Sequence, residues 1–231
     1  MKIKYKIKEV IPKVFCVTFK DQLDMSLLFL KYQEFYESPK FQNKRFTLPQ
    51  YIRWYCKKNK TLSFSYPDDF IGYNVPGSVV EAILFDDKWS PFEVDKTQWD
   101  FNEYDDEMDK IWHKCFELNN RDRNFYIIGV MKGNKNSALK HEISHGMWFT
   151  NPQYKKDMTK LLYESLSLKK IDKFNRVLKK LGYAKSVHLD EACAYLSTGL
   201  NSDLDSLNIS KKIQNKFKKV YKDYVNSYKR Q

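Results

Sequence analysis

Seven residues at positions 125–131, Phe-Tyr-Ile-Ile-Gly-Val-Met, make a nearly continuous apolar run. So short and apolar a segment reads as a buried strand, and a buried strand obliges the chain to build a sheet around it. Gly133 and Asn134 break the run. Residues 137–150 follow as a helix, with Ser137 placed to cap it and Pro152 beyond its end. A buried strand leading through a short turn into a helix is the unit that the rest of the chain must accommodate.

Residues 2–8 alternate Ile3, Tyr5 and Ile7 with lysines, the pattern of a half-exposed strand whose lysines suit a sheet edge. Beyond Pro12, residues 14–19 read as a second strand. Residues 23–36 carry a helical apolar face that stops before Pro39. Thr47-Leu48-Pro49-Gln50 has capping-box spacing with proline in the first turn, so a helix is expected to about residue 57. Residues 61–66 read as a short strand, 67–77 as a loop able to rim a cleft, and 79–85 as a short apolar helix. A helix over 103–118 would turn Met108, Ile111, Trp112, Cys115 and Phe116 inward. Further helices are expected at 153–166, 171–181, 189–198 and 209–228, the second and third stopped by Gly182 and Gly199. The expected class is α+β: a small mixed sheet in the N-terminal part, a largely helical C-terminal half, and the 137–150 helix between them. Residues 1–120 form an N-terminal α+β part, and residues 121–231 the part with the central helix; together they are expected to make one compact unit.

Composition excludes several classes. Of 231 residues, 42% are hydrophobic and 16% aromatic, too many for a disordered chain. No apolar run approaches the roughly 18 residues that a membrane helix needs. Lys13 and Lys20 interrupt any secretory h-region. The four cysteines lie far apart without a CxxC pair, so free thiols and a cytoplasmic location are expected, with signal-independent export left open. The net charge of +12 suggests an anionic partner, but arginine occurs only at 45, 53, 121, 123, 176 and 230. Nucleic-acid readers lean on arginine, so a solvated lysine-rich surface is the preferred reading over a nucleic-acid binder. The charge is segregated: acids dominate residues 81–110, bases dominate 155–185 and 211–230.

The chemistry-bearing feature is His141-Glu142-Ile143-Ser144-His145. On a helix, His141 and His145 lie four residues apart on one face, where a single metal ion can take both. Glu142 beside them can reach a metal-bound water without ligating the ion, and can take its proton during attack on a carbonyl. The surroundings, Leu139, Ile143, Ser144, Gly146 and Met147, are uncharged. Two histidines leave a catalytic zinc one protein ligand short.

The motif, with a strand before it and a helix after it, resembles the zincin superfamily of zinc metallopeptidases over about residues 125–200. The resemblance implies one zinc ion per chain, a peptide or protein substrate, and an extended substrate lying by strand addition along the edge of the preceding strand region. Metzincins require a histidine six residues after the second ligand; that position is Asn151. The gluzincin subgroup instead takes a glutamate from a later helix, for which Glu191 is the candidate. Asp190 and His188 compete with it, and Asp190 points about 100° away from Glu191 on a helix. The order HExxH, a gap, then Glu-x-x-Ala with an upstream tyrosine is similar to the lethal-factor-type gluzincins. That likeness makes Tyr183 the candidate to stabilise an oxyanion, with Tyr195, four residues after Glu191, as its rival. His113 reads as structural. Two other readings stand beside a peptidase: a metal-dependent amidohydrolase acting on a small substrate, and a basic binding protein with a degenerate or structural metal site.

Overall fold

The computed structural model describes residues 3–85, 101–133, 138–228 and 230. Ser137, and residues 86–100 of the acidic segment between Glu81 and Lys110, lie outside these residues. Two strands open the chain, β1 (Tyr5–Ile11) and β2 (Val14–Phe19), turning at Lys13 with φ of 68°. Four elements follow: α1 (Gln22–Glu37), α2 (Leu48–Asn59), the single turn α3 (Tyr66–Asp69) and β3 (Gly72–Pro76). Next come α4 (Gly77–Leu84), α5 (Glu103–Leu118) and β4 (Tyr126–Met131). The chain ends in five helices: α6 (Ala138–Thr150), α7 (Pro152–Ser165), α8 (Leu168–Leu181), α9 (His188–Thr198) and α10 (Lys211–Tyr228).

The four strands form one mixed sheet in the order β1-β2-β4-β3. β1 pairs antiparallel with β2, β2 parallel with β4, and β3 antiparallel with β4. The alternating lysine strand is at an edge, as its pattern demands, and the apolar run is central. On β2, Phe15, Val17 and Phe19 join one core with Met25, Leu28 and Phe29 of α1 and Met108 and Ile111 of α5. Val14 and Cys16 face the other way. They pack with Tyr126, Ile128 and Val130 of β4 and with Ile143 and Met147 of α6, in a second core shared with α7 to α10. Both faces of the sheet are therefore covered by helices, which explains why β4 reads as a continuous apolar run. α6 closes tightly on the sheet at Gly146, where an added Cβ would come within 2.7 Å of Val14 Cγ2.

Two expectations fail. Residues 61–66 are not a strand; the chain there bends and turns into α3. The segment 67–77, expected as a loop, contains β3, because Gly72 to Pro76 find ladder partners in Val130 to Tyr126. No alternating pattern marks it, since all five β3 residues are buried. The capping box does form: Thr47 accepts from the Gln50 backbone N–H and the Gln50 side chain accepts from Thr47 N–H, and α2 runs two residues further than expected. All four cysteines are free. No helix among the described residues is long and apolar enough to cross a membrane.

Candidate metal centre

α6 and α9 pack against each other, and their facing sides bring the sequence candidates together. His141 and His145 project from α6 and Glu191 from the first turn of α9. One ligand atom from each lies within 4.8 Å of the other two. Glu191 Oε2 stands 3.6 Å from His141 Nε2, and Glu191 Oε1 stands 3.5 Å from His145 Nε2. These separations are too long for good hydrogen bonds. His145 Nε2 and Glu191 Oε2 are buried and have no hydrogen-bond partner. Buried polar atoms left unpaired are costly, and two of them, one from each helix and with His141 Nε2 beside them, are what a divalent cation would satisfy. Two imidazoles and a carboxylate are a donor set that suits zinc. The residues fit the metal that the motif implies.

The other ring nitrogens are fixed from behind. Asp190 Oδ2 lies 2.9 Å from His145 Nδ1, and Thr198 Oγ1 lies 3.2 Å from His141 Nδ1. Such partners set the tautomer and orientation of a ligand imidazole. Asp190 is thus turned away from the ligand cluster, as the helical offset requires, but it holds His145 rather than merely complementing the helix dipole. Burial opposes a charge on His145, and Asp190 and Glu191 together overcome it and raise the imidazole pKa well above its ordinary value. His188 is not drawn in: its Nε2 lies 3.1 Å from the Tyr183 carbonyl, and its side chain borders a small cavity with Leu162, Phe174 and Ala192.

Glu142 is also buried. Its Oε2 accepts from Asn74 Nδ2 at 2.7 Å, and the Tyr126 hydroxyl donates to Asn74 Oδ1. That second bond decides which way the Asn74 amide points. On the other side, a Cβ at Gly72 would meet Glu142 Oε1 at 3.0 Å, so a side chain there would press on the carboxylate and shift it from its place. Burial raises the Glu142 carboxyl pKa, while His141, His145 and the Asn74 bond draw it back. Tyr183 and Tyr195 arrive together, their hydroxyl oxygens 3.3 Å apart, and the Tyr195 ring packs on the His141 ring at 4.7 Å between centroids. Burial pushes the Tyr195 phenol up to about 12, which keeps it protonated and able to donate near neutral pH.

The centre opens into a cleft of ≈ 580 Å³ lined by His141, Glu142, His145, Glu191, Tyr183 and Tyr195, and by N-terminal residues including Gln33, Glu34, Glu37, Asp69, Gly72 and Asn74. The segment 67–77 therefore does rim a cleft. The strand before α6, however, offers no edge: β4 is interior, paired on both sides. The nearby edge belongs to β3, and there Asn74 N–H is already taken by Gln33 Oε1 at 3.2 Å. Asn74, Tyr126, Gln33 and Glu37 carry no local sequence signal. Thr198 does carry one, since it follows Glu191 and Tyr195 at i+7 and i+3 on one helical face.

Comparisons with protein-family models, curated proteins and solved structures find no match to this chain.

Proposed function

We propose that the chain is a zinc-dependent metallopeptidase of gluzincin type, acting on a peptide or protein substrate. The observation that carries this reading is the convergence of His141, His145 and Glu191, with unpaired buried ligand atoms, beside Glu142 at the wall of a cleft. These three side chains would hold the ion. Zinc, when bound, supplies Lewis-acid chemistry, lowering the pKa of water and polarising a carbonyl.

The remaining roles belong to the chain's own groups. Glu142 takes a proton from the attacking water and passes it to the leaving amine. With Oε2 engaged by Asn74, the transfer falls to Oε1, and the raised basicity that comes with burial favours it. A neutral tyrosine hydroxyl, from Tyr195 or Tyr183, donates to the carbonyl oxygen as negative charge develops there. Asp190 and Thr198 keep the two imidazoles aimed at the ion. The test is zinc content and cleavage of a peptide library, measured on the purified chain and on Glu142→Gln. About one zinc per chain with cleavage abolished in the variant is expected. A chain that takes up no zinc when supplied with it would sink the reading.

A further inference from the structure

We propose that Glu37 anchors a subsite of this cleft that takes a cationic nitrogen of the substrate, either the ammonium of a free amino terminus or the side chain of lysine or arginine. The proposal deepens the peptidase reading and rests on it. Glu37 ends α1 and lines the cleft, yet it is only 8% exposed. Its backbone carbonyl accepts from Ala184 N–H at 2.9 Å, but its carboxyl has no hydrogen-bond donor among the described residues. Glu37 lines the same cleft as His141, Glu142, His145 and Glu191. Burial holds its carboxyl well above the usual carboxylate range, with Glu191, Glu142 and Asp190 adding to the rise and His145 opposing it.

The charge of the cleft points the same way. Its described lining contains Glu34, Glu37, Asp69, Glu142 and Glu191, and no lysine or arginine, in a chain with a net charge of +12. His141, His145 and Glu191 are committed to the ion and Glu142 to proton transfer. Tyr55 donates to Asp69 at the rim. Glu34 lies among the hydroxyls of Tyr51, Ser38 and Tyr66. Lys58 stands over the Trp54 ring with its ammonium near Gly182 at the rim, and its charge acts on Glu34. Glu37 is left without a hydrogen-bonding partner for its carboxyl, and the imidazole that acts on it, His145, is committed to the ion. A carboxyl buried without a partner is driven towards its neutral form, and an incoming cation favours the ionised form and pairs with it. Leu181 and Tyr183 in the same wall offer apolar surface to the methylene stem of a long basic side chain.

The test reads binding, apart from turnover. The zinc-loaded Glu142→Gln chain is mixed with a random peptide library made in two forms, with free and with acetylated amino termini, and retained peptides are sequenced by mass spectrometry. If a side chain fills the subsite, lysine or arginine should be enriched about tenfold at one position in both libraries; if the terminus fills it, retention should be confined to the free-amine library. Adding Glu37→Gln should abolish the preference, and Glu37→Asp should keep part of it. No retention, retention blind to charge, or a preference that survives Glu37→Gln would each overturn the proposal. Should Glu37→Gln fail to fold, the library comparison with Glu37 intact decides alone. A chain that retains cationic peptides but cleaves none when Glu142 is restored would sink the peptidase reading and leave the subsite standing. Cleavage without regard to charge would do the reverse.

Discussion

At the scale of single residues, three adjacent or near-adjacent carboxylates do different work because of what each one touches. Glu191 Oε2 has no hydrogen-bond partner and the carboxylate lies against two imidazoles; Asp190 bonds one of those imidazoles; Glu142 is held by an amide. Glu191→Ala should strip the ion, because two histidines alone do not hold zinc well. Asp190→Ala should leave metal bound but weaken its affinity by about 10–100-fold, the usual cost of losing a partner behind a ligand histidine. Competition with a chelator, run on both variants, orders the two effects; equal losses would make Asp190 a ligand. Glu142→Gln should keep the metal and lose about 10²–10⁴ in turnover, which single-turnover assays on the metal-loaded chain would measure. Of Tyr183→Phe and Tyr195→Phe, the true oxyanion donor should lose about 10²–10³ in turnover with zinc retained. The other should change little, since its hydroxyl only bonds its neighbour.

At the scale of elements, the site depends on how close α6 lies to the sheet. Gly146 faces Val14, and Gly72 faces Glu142. Gly146→Ala sets a methyl against the Val14 side chain and should destabilise the fold by about 1–3 kcal/mol, as overpacking does. Val14→Ala in the same chain should recover part of that loss, so a double-mutant cycle in urea would read a coupling between the two. If the two losses simply add, the helix does not meet the strand there. The α2 cap is a contrasting case. Thr47→Ala should cost about 1 kcal/mol and leave zinc affinity unchanged, because α2 supplies nothing to the cleft lining. Helices were legible in the sequence because their caps and periodicity are local: Thr47 with Gln50, the inward face of 103–118, Gly182 after α8. β3 was not, since a short strand buried on both sides has no alternation to betray it.

At the scale of the whole molecule, the centre is assembled between parts far apart in the chain. α1 and β3 supply Gln33, Glu37 and Asn74, while α6 and α9 supply the candidate ligands. Metal that binds only the folded chain should therefore stabilise all of it. At free zinc about a thousand times the dissociation constant, the gain is about 4 kcal/mol, seen as a rise in melting temperature that chelator reverses. Reductant should have no effect on that temperature, as the cysteines are unpaired. The sequence by itself determined the local things: the apolar strand, the helix that follows it, the two histidines on one face of that helix, and the glutamate between them. It reached Glu191 through a pattern shared with a known class of site, because the spacing of a ligand helix leaves a trace. Only the tertiary structure decided that β4 is central rather than an edge, that Asp190 holds His145, and that Asn74 and Tyr126 aim Glu142. It alone brought Glu37 to the same cleft. The physical reason is that covalent spacing dictates neighbours within a helix or strand, whereas contacts across more than a hundred residues depend on which faces the packed sheet and helices turn toward each other.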